Sequence, residues 1–536
     1  MILASSRNAF ETFSNRRLDA LSRTTLLPVN HARVSRRLAA LAMLVLAACS
    51  GDSPTAPVAP PETPVVPSIA REFRGLWVAT VANIDWPSQS GLSTAAQQAE
   101  LITILELARS TGLNAIVLQV RAAGDALYPS SLEPWARALT GTQGVNPGWD
   151  PLAFAVTEAH ARGLELHAWF NPFRAGSLSD TTRLATSHLA KTRPDLTRQY
   201  CTQLWFDPAE LAVQDQALNV VRDVVVRYDV DAVHLDDFFY PYPDSRCAGL
   251  DFPDSAGYAR YQQAGGVLSR GDWRRDNVNR FVQRLYTDVH ATRSTVRVGI
   301  SPFGIWRPGN PAGIVGLDAY GSIYADSRYW LQQGWVDYFA PQLYWSIAST
   351  GQNFPALLDW WSQQNTRQRH FWPGLAAYRV ADGSNSPYSA GEIPAQIQQI
   401  RARPAVTGAL LYNTSVLLEN RSGLATSLAT ATFPAGALPP ATTWLDGTAP
   451  ASPQLVVSSI GSTVLRATVT HSTAEPLSWT LVRWRSGSAT WSQRVVPATS
   501  TTIDVPATGN GGATSVIVVN AIDRVGNASA NIVWVR

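Results

Sequence analysis

The chain has 536 residues, 45% of them hydrophobic and 15% charged, with a formal net charge of +3. That length calls for two or three domains around a sizeable core, and the near-neutral balance, with no basic block in the body of the chain, excludes a nucleic-acid partner. Three cysteines exclude a disulfide scaffold and a thiolate metal cluster, while nineteen tryptophans and sixteen tyrosines serve equally well as core filling and as flat faces for sugar rings.

Arg36-Arg37 precedes an apolar run from Leu38 to Ala48 that is too short to cross a bilayer and has the build of a signal-peptide core. The run ends Leu46-Ala47-Ala48-Cys49, which resembles the bacterial lipobox. Residues 1–49 therefore read as a lipoprotein signal with Cys49 as the lipidated residue, and Ser50 after it favours outer-membrane sorting. Residues 50–69 carry Pro54, Pro57, Pro60, Pro61, Pro64 and Pro67 and read as an extended tether. A lipid, a tether and then a domain place the expected protein in the bacterial cell envelope, at the outer membrane facing the periplasm or exposed on the surface. That compartment is oxidising, which makes Cys201 and Cys247 candidates for a disulfide.

From Arg71 onward short apolar strands alternate with helical patterns. The expected strands are 74–80, 115–121, 164–172, 230–235, 296–304, 336–345, 371–379 and 408–413. Helices are expected between them, at about 95–110, from Pro151 to Arg162, and at about 208–228, 275–290, 327–333, 355–366 and 392–402. Asp150-Pro151 is an N-cap followed by an N1 proline, and Thr111-Gly112 and Gly334 are C-terminal stops. Eight βα units in residues 70–435 predict an α/β fold, a (β/α)8 TIM-like barrel. A doubly wound open sheet is the alternative, but no glycine-rich phosphate loop follows strand one. Residues 436–452, with Pro439-Pro440 and Pro450, read as a linker. Residues 453–536 read as a small all-β sandwich of the immunoglobulin or fibronectin-III kind, with strands at 454–457, 464–469, 478–484, 515–519 and 532–535 and Ala521–Asn527 as its penultimate loop.

The strand tips carry the chemistry. Val230–Leu235 runs as a buried strand into Asp236-Asp237-Phe238-Phe239-Tyr240-Pro241, and acids at the C-terminal tip of a buried barrel strand sit where such a fold keeps its active site. Strand parity puts His234 and Asp236 on one face and Asp237 on the other unless the strand has already ended. Cleaving a glycosidic bond takes two carboxylates, about 5 Å apart for retention and farther for inversion. The strand-five tip, Ser301-Pro302-Phe303-Gly304, has no acid. The candidates for a second carboxylate are Asp125, Asp326 and, more weakly, Asp85, with Asp326 equally suited to capping the helix after it. Arg121, His167, Asn171, His234, Tyr240, Gln342 and Tyr344 are candidate substrate donors, and Trp77, Trp169, Trp306 and Trp345 are candidate stacking faces. His167 and His234 stand singly on different strands and no His-x-His pair is present, so no metal and no cofactor is expected.

Several ordered motifs now stand together: Arg71-Glu72-Phe73-Arg74-Gly75-Leu76-Trp77-Val78, Gln119-Val120-Arg121 with Asp125-Ala126-Leu127-Tyr128, His167-Ala168-Trp169-Phe170-Asn171-Pro172, His234–Pro241, and Trp335–Trp345. Over about residues 70–430 the chain resembles the bacterial glycosyl-hydrolase-like family labelled family 10 glycosylhydrolase. The resemblance implies a TIM-like barrel, lipoprotein anchoring, and action on glycan, with cell-wall (peptidoglycan) glycan strands favoured. The family's Asp-Asp strand tip falls on Asp236 and Asp237. The expected protein is an envelope-anchored glycoside hydrolase whose partners are a polysaccharide and, through Cys49, a membrane. The alternatives are a non-catalytic glycan-binding lipoprotein that tethers envelope to wall, and an amylase-like glucan hydrolase.

Overall fold

The computed structural model describes residues 64–536, so the signal segment, Cys49 and most of the proline-rich tether lie outside the described residues. Val66–Arg536 forms one compact unit. No helix among the described residues is long and apolar enough to cross a membrane.

The first part of this unit is built on strands β1 (Phe73–Val78), β2 (Ala115–Arg121), β3 (Glu165–Phe170), β7 (Ala232–Leu235), β8 (Arg297–Ile300), β9 (Tyr338–Phe339), β10 (His370–Phe371), β11 (Gly374–Ala376) and β12 (Gly408–Tyr412). All pair in parallel in the order β10-β9-β8-β7-β3-β2-β1-β12-β11. The two ends of that order are consecutive in the chain, separated by Trp372-Pro373. Trp372 N donates to Phe339 O on one side, and Leu410 N donates to Pro373 O on the other. The sheet is thus curled until its ends meet, and proline sits where one ladder hands over to the next.

β1, β2, β3, β7 and β8 are buried along their whole lengths. This is why they read as continuous apolar runs: a parallel sheet is covered on both faces. Alternate residues still separate. Leu76, Val78, Ile116, Leu118, Leu166, Val233, Leu235, Val298 and Ile300 pack outward into one large cluster with the helices. Phe73, Trp77, Val117, Trp169, Ala232, Tyr338, Trp372 and Leu410 fill the inside of the curl. Phe73 stacks on Trp372 with centroids 3.7 Å apart, and Tyr338 on Trp372 at 4.7 Å. Gly299 in β8 faces the Tyr338 ring so closely that a Cβ there would overlap it.

The covering helices are α1 (Thr94–Ser110), α2 (Pro151–Ala161), α3 (Leu211–Arg227), α4 (Arg270–Thr292), α5 (Ser327–Gln333), α6 (Phe354–Gln364) and α7 (Glu392–Arg401). Their ends follow the capping signals: Ser93 accepts from Ala96 N, Asp150 from Ala153 N, and Gly334 closes α5 at φ 75°. One element was not foreseen. Between β3 and α3 the chain forms a small antiparallel sheet of β4 (Arg174–Ser177), β5 (Thr197–Tyr200) and β6 (Gln203–Phe206), in the order β4-β6-β5.

The tail forms two antiparallel sheets. One is β13 (Gln454–Ile460), β14 (Val464–Thr470) and β17 (Thr502–Pro506). The other is β15 (Leu477–Ser486), β16 (Ser492–Pro497), β18 (Thr508–Gly509), β19 (Gly512–Asp523) and β20 (Ile532–Val535). Leu465, Val469, Val482, Ile503, Val505, Ile517 and Val519 fill the space between them. Two expectations are corrected here. β16 opens on three polar residues, Ser492-Gln493-Arg494, and β17 alternates over only five positions, so neither was expected, and Ala521–Asp523, expected in a loop, continues β19.

The segment before the tail is a strap. Leu438 N donates to Ala70 O and Glu72 N to Leu438 O, beside β1; Thr442 N donates to Val525 O in the tail. Trp444 Nε1 donates to Asp337 at 2.8 Å, and Arg524 pairs with Asp229 at 2.6 Å. Glu72, Asp229 and Asp337 all precede their strands, so strap and tail sit on the N-terminal ends of the strands and leave the C-terminal ends open.

Candidate active site

β7 ends its ladder at Leu235, whose carbonyl accepts from Ser301 N. Beyond it the backbone turns, with Phe239 N donating to Asp237 O. Strand parity therefore stops before it can separate the two acids, and Asp236 and Asp237 come together, each carboxyl acting on the other. Asp236 Oδ1 accepts from Asp237 N at 2.8 Å and from Gln342 Nε2 at 3.2 Å. Gln342 also donates to Ser301 O, which fixes it across two strand tips. Asp237 is buried and accepts from the Tyr242 hydroxyl.

Burial first, and the Asp236 charge second, push the Asp237 carboxyl well above the usual carboxylate range. Burial raises Asp236 as well, but the hydrogen bond from Asp237, the charge of Arg174 and the Gln342 amide all favour its ionised form. The two carboxyls titrate as a pair, and the surrounding groups favour the proton on Asp237 over Asp236. A carboxyl raised in the folded state binds its proton more tightly there, so its contribution to stability is full below about pH 4 and is lost as pH rises through the raised value. We expect urea midpoints to fall with rising pH, and Asp237→Asn to flatten that slope; equal slopes in both proteins would refute the assignment.

Around the carboxyls stand half-buried side chains from several tips: Arg174, Phe238, Tyr242, Tyr344, Trp345 and Tyr412. Arg174 lies over the Phe238 ring at 5.7 Å, and its guanidinium feels the charges of Asp236 and Asp125. Tyr344 and Tyr412 stack at 6.1 Å, with Tyr378 edge-on to Tyr412 at 5.7 Å. Phe303 links Tyr242 at 6.2 Å to Trp345 at 5.7 Å. Carboxyls set in an aromatic wall suit a sugar ring, which offers hydroxyls at its rim and an apolar face.

Of the residues singled out from sequence, Asp236, Asp237, Gln342, Tyr344 and Trp345 meet here. The others have different surroundings. Arg121 is almost fully buried; it pairs with Glu133 at 2.5 Å and donates to Asn171 O and Pro172 O. Trp77 Nε1 donates to His234 Nε2 at 3.1 Å, so that nitrogen is unprotonated. His234 then donates from Nδ1 to the Tyr338 hydroxyl, Tyr338 to His167 Nδ1, and His167 Nε2 to Glu165, which pairs with Arg297 at 2.7 Å. Burial holds both imidazoles below their usual range, which matches this chain of donors: both histidines are neutral and spent inside the curl. Trp77 and Trp169 form the buried floor, and Asn171 accepts from Trp169 Nε1 at 3.0 Å. Tyr240 turns away to pack against Phe252 and Tyr324. Asp125 accepts from Ala123 N and Gln143 within its own loop, and Asp326 caps α5 and accepts from Trp306 Nε1. Asp85 bridges β1 and the β12 tip by accepting from Ala79 N, Asn413 Nδ2 and Ser415 N, and burial pushes its carboxyl up to about 7.

Sequence reasoning missed Arg174, Tyr242 and Tyr412. Arg174 follows Asn171-Pro172 at the end of β3 and Tyr242 follows the acid pair by five residues, so their positions just past strand tips were the available signal. Cys201 and Cys247 form a disulfide that ties the β5–β6 turn to the loop after β7. The chain-entropy relation for its sequence separation of 46 gives about 4 kcal/mol. We expect Cys201→Ser with Cys247→Ser to lower unfolding free energy by up to that amount, measured in urea; an unchanged midpoint would show that the bridge constrains nothing.

A family model described as glycosyl hydrolase-like 10 matches residues 72–389. The chain is 41% identical over 393 residues to glycosyl hydrolase YngK of Bacillus subtilis (strain 168), covering 72% of this chain and 76% of that one. It is 32% identical over 432 residues to glycosyl hydrolase DigH of Escherichia coli (strain K12), covering 75% and 96%. Among solved structures it is similar to the glycoside hydrolase domain of PgaB (BpsB) from Bordetella bronchiseptica, with a TM-score of 0.47, 13% identity, and 68% and 99% of the two chains covered. The chain belongs to the glycosyl hydrolase-like 10 family, and with it to the glycoside hydrolases.

Proposed function

We propose that this chain cleaves glycosidic bonds of a polysaccharide, with bacterial cell-wall glycan strands as the substrate class, at the carboxyl pair in the mouth of a (β/α)8 barrel. The observation that carries the reading is the adjacent carboxyls of Asp236 and Asp237 at one strand tip, held by Gln342 and Tyr242 inside a wall of half-buried aromatics. Asp237 is the general acid, poised by burial to hold its proton at neutral pH. Asp236 stabilises the positive charge that develops at the anomeric carbon. Tyr344, Trp345 and Gln342 bind the sugar beside them.

We read the tail as an immunoglobulin- or fibronectin-III-like sandwich and residues 1–49 as a lipoprotein signal that leaves Cys49 anchored in the envelope, with residues 50–69 as the tether. The Cys201–Cys247 disulfide supports an exported, oxidising location. Product analysis tests the activity. The purified chain is incubated with peptidoglycan glycan strands, with and without their peptides, and with a panel of glucans, beside an Asp236→Asn, Asp237→Asn double variant. New reducing ends from the wild type alone, on cell-wall strands, are expected. Cleavage of glucans only would move the substrate to storage polysaccharide. Binding without any product would overturn hydrolysis in favour of glycan tethering.

A further inference from the structure

The two acids are too close for the usual division of labour. Hydrolysis by two protein carboxylates needs them on opposite sides of the scissile bond, about 5 Å apart when one is a nucleophile and about 6.5 Å or more when a water must fit between. Asp236 Oδ1 accepts from Asp237 N at 2.8 Å, and the two neighbouring carboxyls approach from the same strand tip.

Among the described residues, the acids near the other tips are engaged elsewhere, Glu392 for instance accepting from Ile347 N and Gln396. Asp85 accepts from Ala79 N, Asn413 and Ser415 N. Asp125 closes its own loop, and Glu133 is held by Arg121. Asp180 pairs with Arg137 at 3.0 Å, and Asp326 caps α5. Asp382 accepts from Ser384 N and Oγ in its own turn. The tips of β8, β9 and β12 carry Ser301, Gln342, Tyr344 and Asn413 instead of acids. Opposite the pair stands an aromatic nest: Tyr344 against Tyr412 at 6.1 Å, Tyr344 against Tyr378 at 6.1 Å, and Trp77 under Tyr412 at 6.2 Å. The Asp236 and Asp237 charges reach the Tyr344 phenol, so nest and carboxyls share one space.

A site with a proton donor, an adjacent carboxylate and no facing nucleophile needs the nucleophile from the substrate. We propose that the sugar ring attacked here carries a 2-acetamido group, and that its carbonyl oxygen, oriented through the amide N–H by Asp236, attacks the anomeric carbon while Asp237 protonates the leaving oxygen. This rests on the hydrolase reading above. The glycosidic C–O bond breaks with its electron pair going to the leaving oxygen, which takes the Asp237 proton and departs as an alcohol. The acetamido oxygen forms a bond to the anomeric carbon, giving an oxazolinium ion whose N–H and positive charge are held by the Asp236 carboxylate. A water then gives a proton to the Asp237 carboxylate and adds its oxygen to the anomeric carbon from the face the alcohol left. That opens the ring, restores the acetamido group and retains the anomeric configuration. The methyl of the acetamido group packs against the tyrosine nest, a small apolar group on flat faces.

The test uses the full chain and glycan strands that have been chemically de-N-acetylated and re-acylated with acetyl, fluoroacetyl, difluoroacetyl or trifluoroacetyl groups. Fluorine withdraws electron density from the carbonyl oxygen and weakens it as a nucleophile, so kcat/KM should fall by about tenfold or more along the series. NMR of the first-formed product should show the retained anomer. A rate that is flat across the series, or an inverted product, with native strands still cleaved, overturns the inference and leaves the hydrolase reading intact. No cleavage of native strands overturns both.

Discussion

Asp237→Asn should lower kcat/KM on glycan strands by about 10³- to 10⁴-fold, the span that a positioned general acid supplies. The carboxamide keeps the shape of the side chain and can still accept from Tyr242, so the loss falls on proton transfer and not on folding. The signature is a split: kcat collapses while KM stays within a few-fold, because the side chains proposed to bind the sugar, Gln342, Tyr344 and Trp345, are unchanged. The pH profile sharpens the assignment. Asp237 is raised first by burial and then by the Asp236 charge, so Asp236→Asn removes the second cause. In that variant the residual activity should lose its alkaline limb at lower pH than in the wild type. An alkaline limb that stays in place would remove Asp237 from the acid role.

The second large effect is on stability, at a residue whose sequence position suggested substrate binding. Arg121 and Glu133 have side-chain exposures of 2% and 1%. Glu133→Ala leaves the guanidinium buried and without its counter-charge, and breaking one partner of such a pair costs about 3–5 kcal/mol. Urea unfolding should show that loss, while KM on glycan strands measured below the transition is unchanged. A raised KM with unaltered stability would return Arg121 to the list of substrate ligands. Arg121 also donates to Asn171 O and Pro172 O, which fixes the path of the chain from β3 into Arg174, so the pair shapes the mouth without touching what enters it.

These two residues show what could be read from sequence and what could not. The strands were legible because burial on both faces leaves them as unbroken apolar runs, and the acid pair was legible because it interrupts such a run at its end. Arg121, His167, His234 and Trp77 were legible as strand residues but not in role: polar side chains at strand tips and inside a curl look alike in sequence, and only the Arg121–Glu133 pair and the donor chain from Trp77 to Glu165 distinguish them. Parity separates Asp236 from Asp237 only while the ladder lasts, and the sequence does not mark its end at Leu235, so the meeting of the two carboxyls stayed open. Arg174 was hidden because β4 is four residues long and pairs with β6, far along the chain. The proline-marked stretch 436–452 signalled a break in pattern but not the bonds it makes to Ala70 and Val525.

Those bonds give the molecule two poles. Arg483 donates to Pro67 O, so the chain enters the folded unit beside the tail, against the closed ends of the strands, and the carboxyl pair opens at the other pole. The strap and the tail therefore occupy one end of this unit and leave the other to the carboxyl pair. A polymer strand can be presented to the opening without crossing the strap or the tail, so its length on either side is not limited by the parts of the chain that close the opposite end.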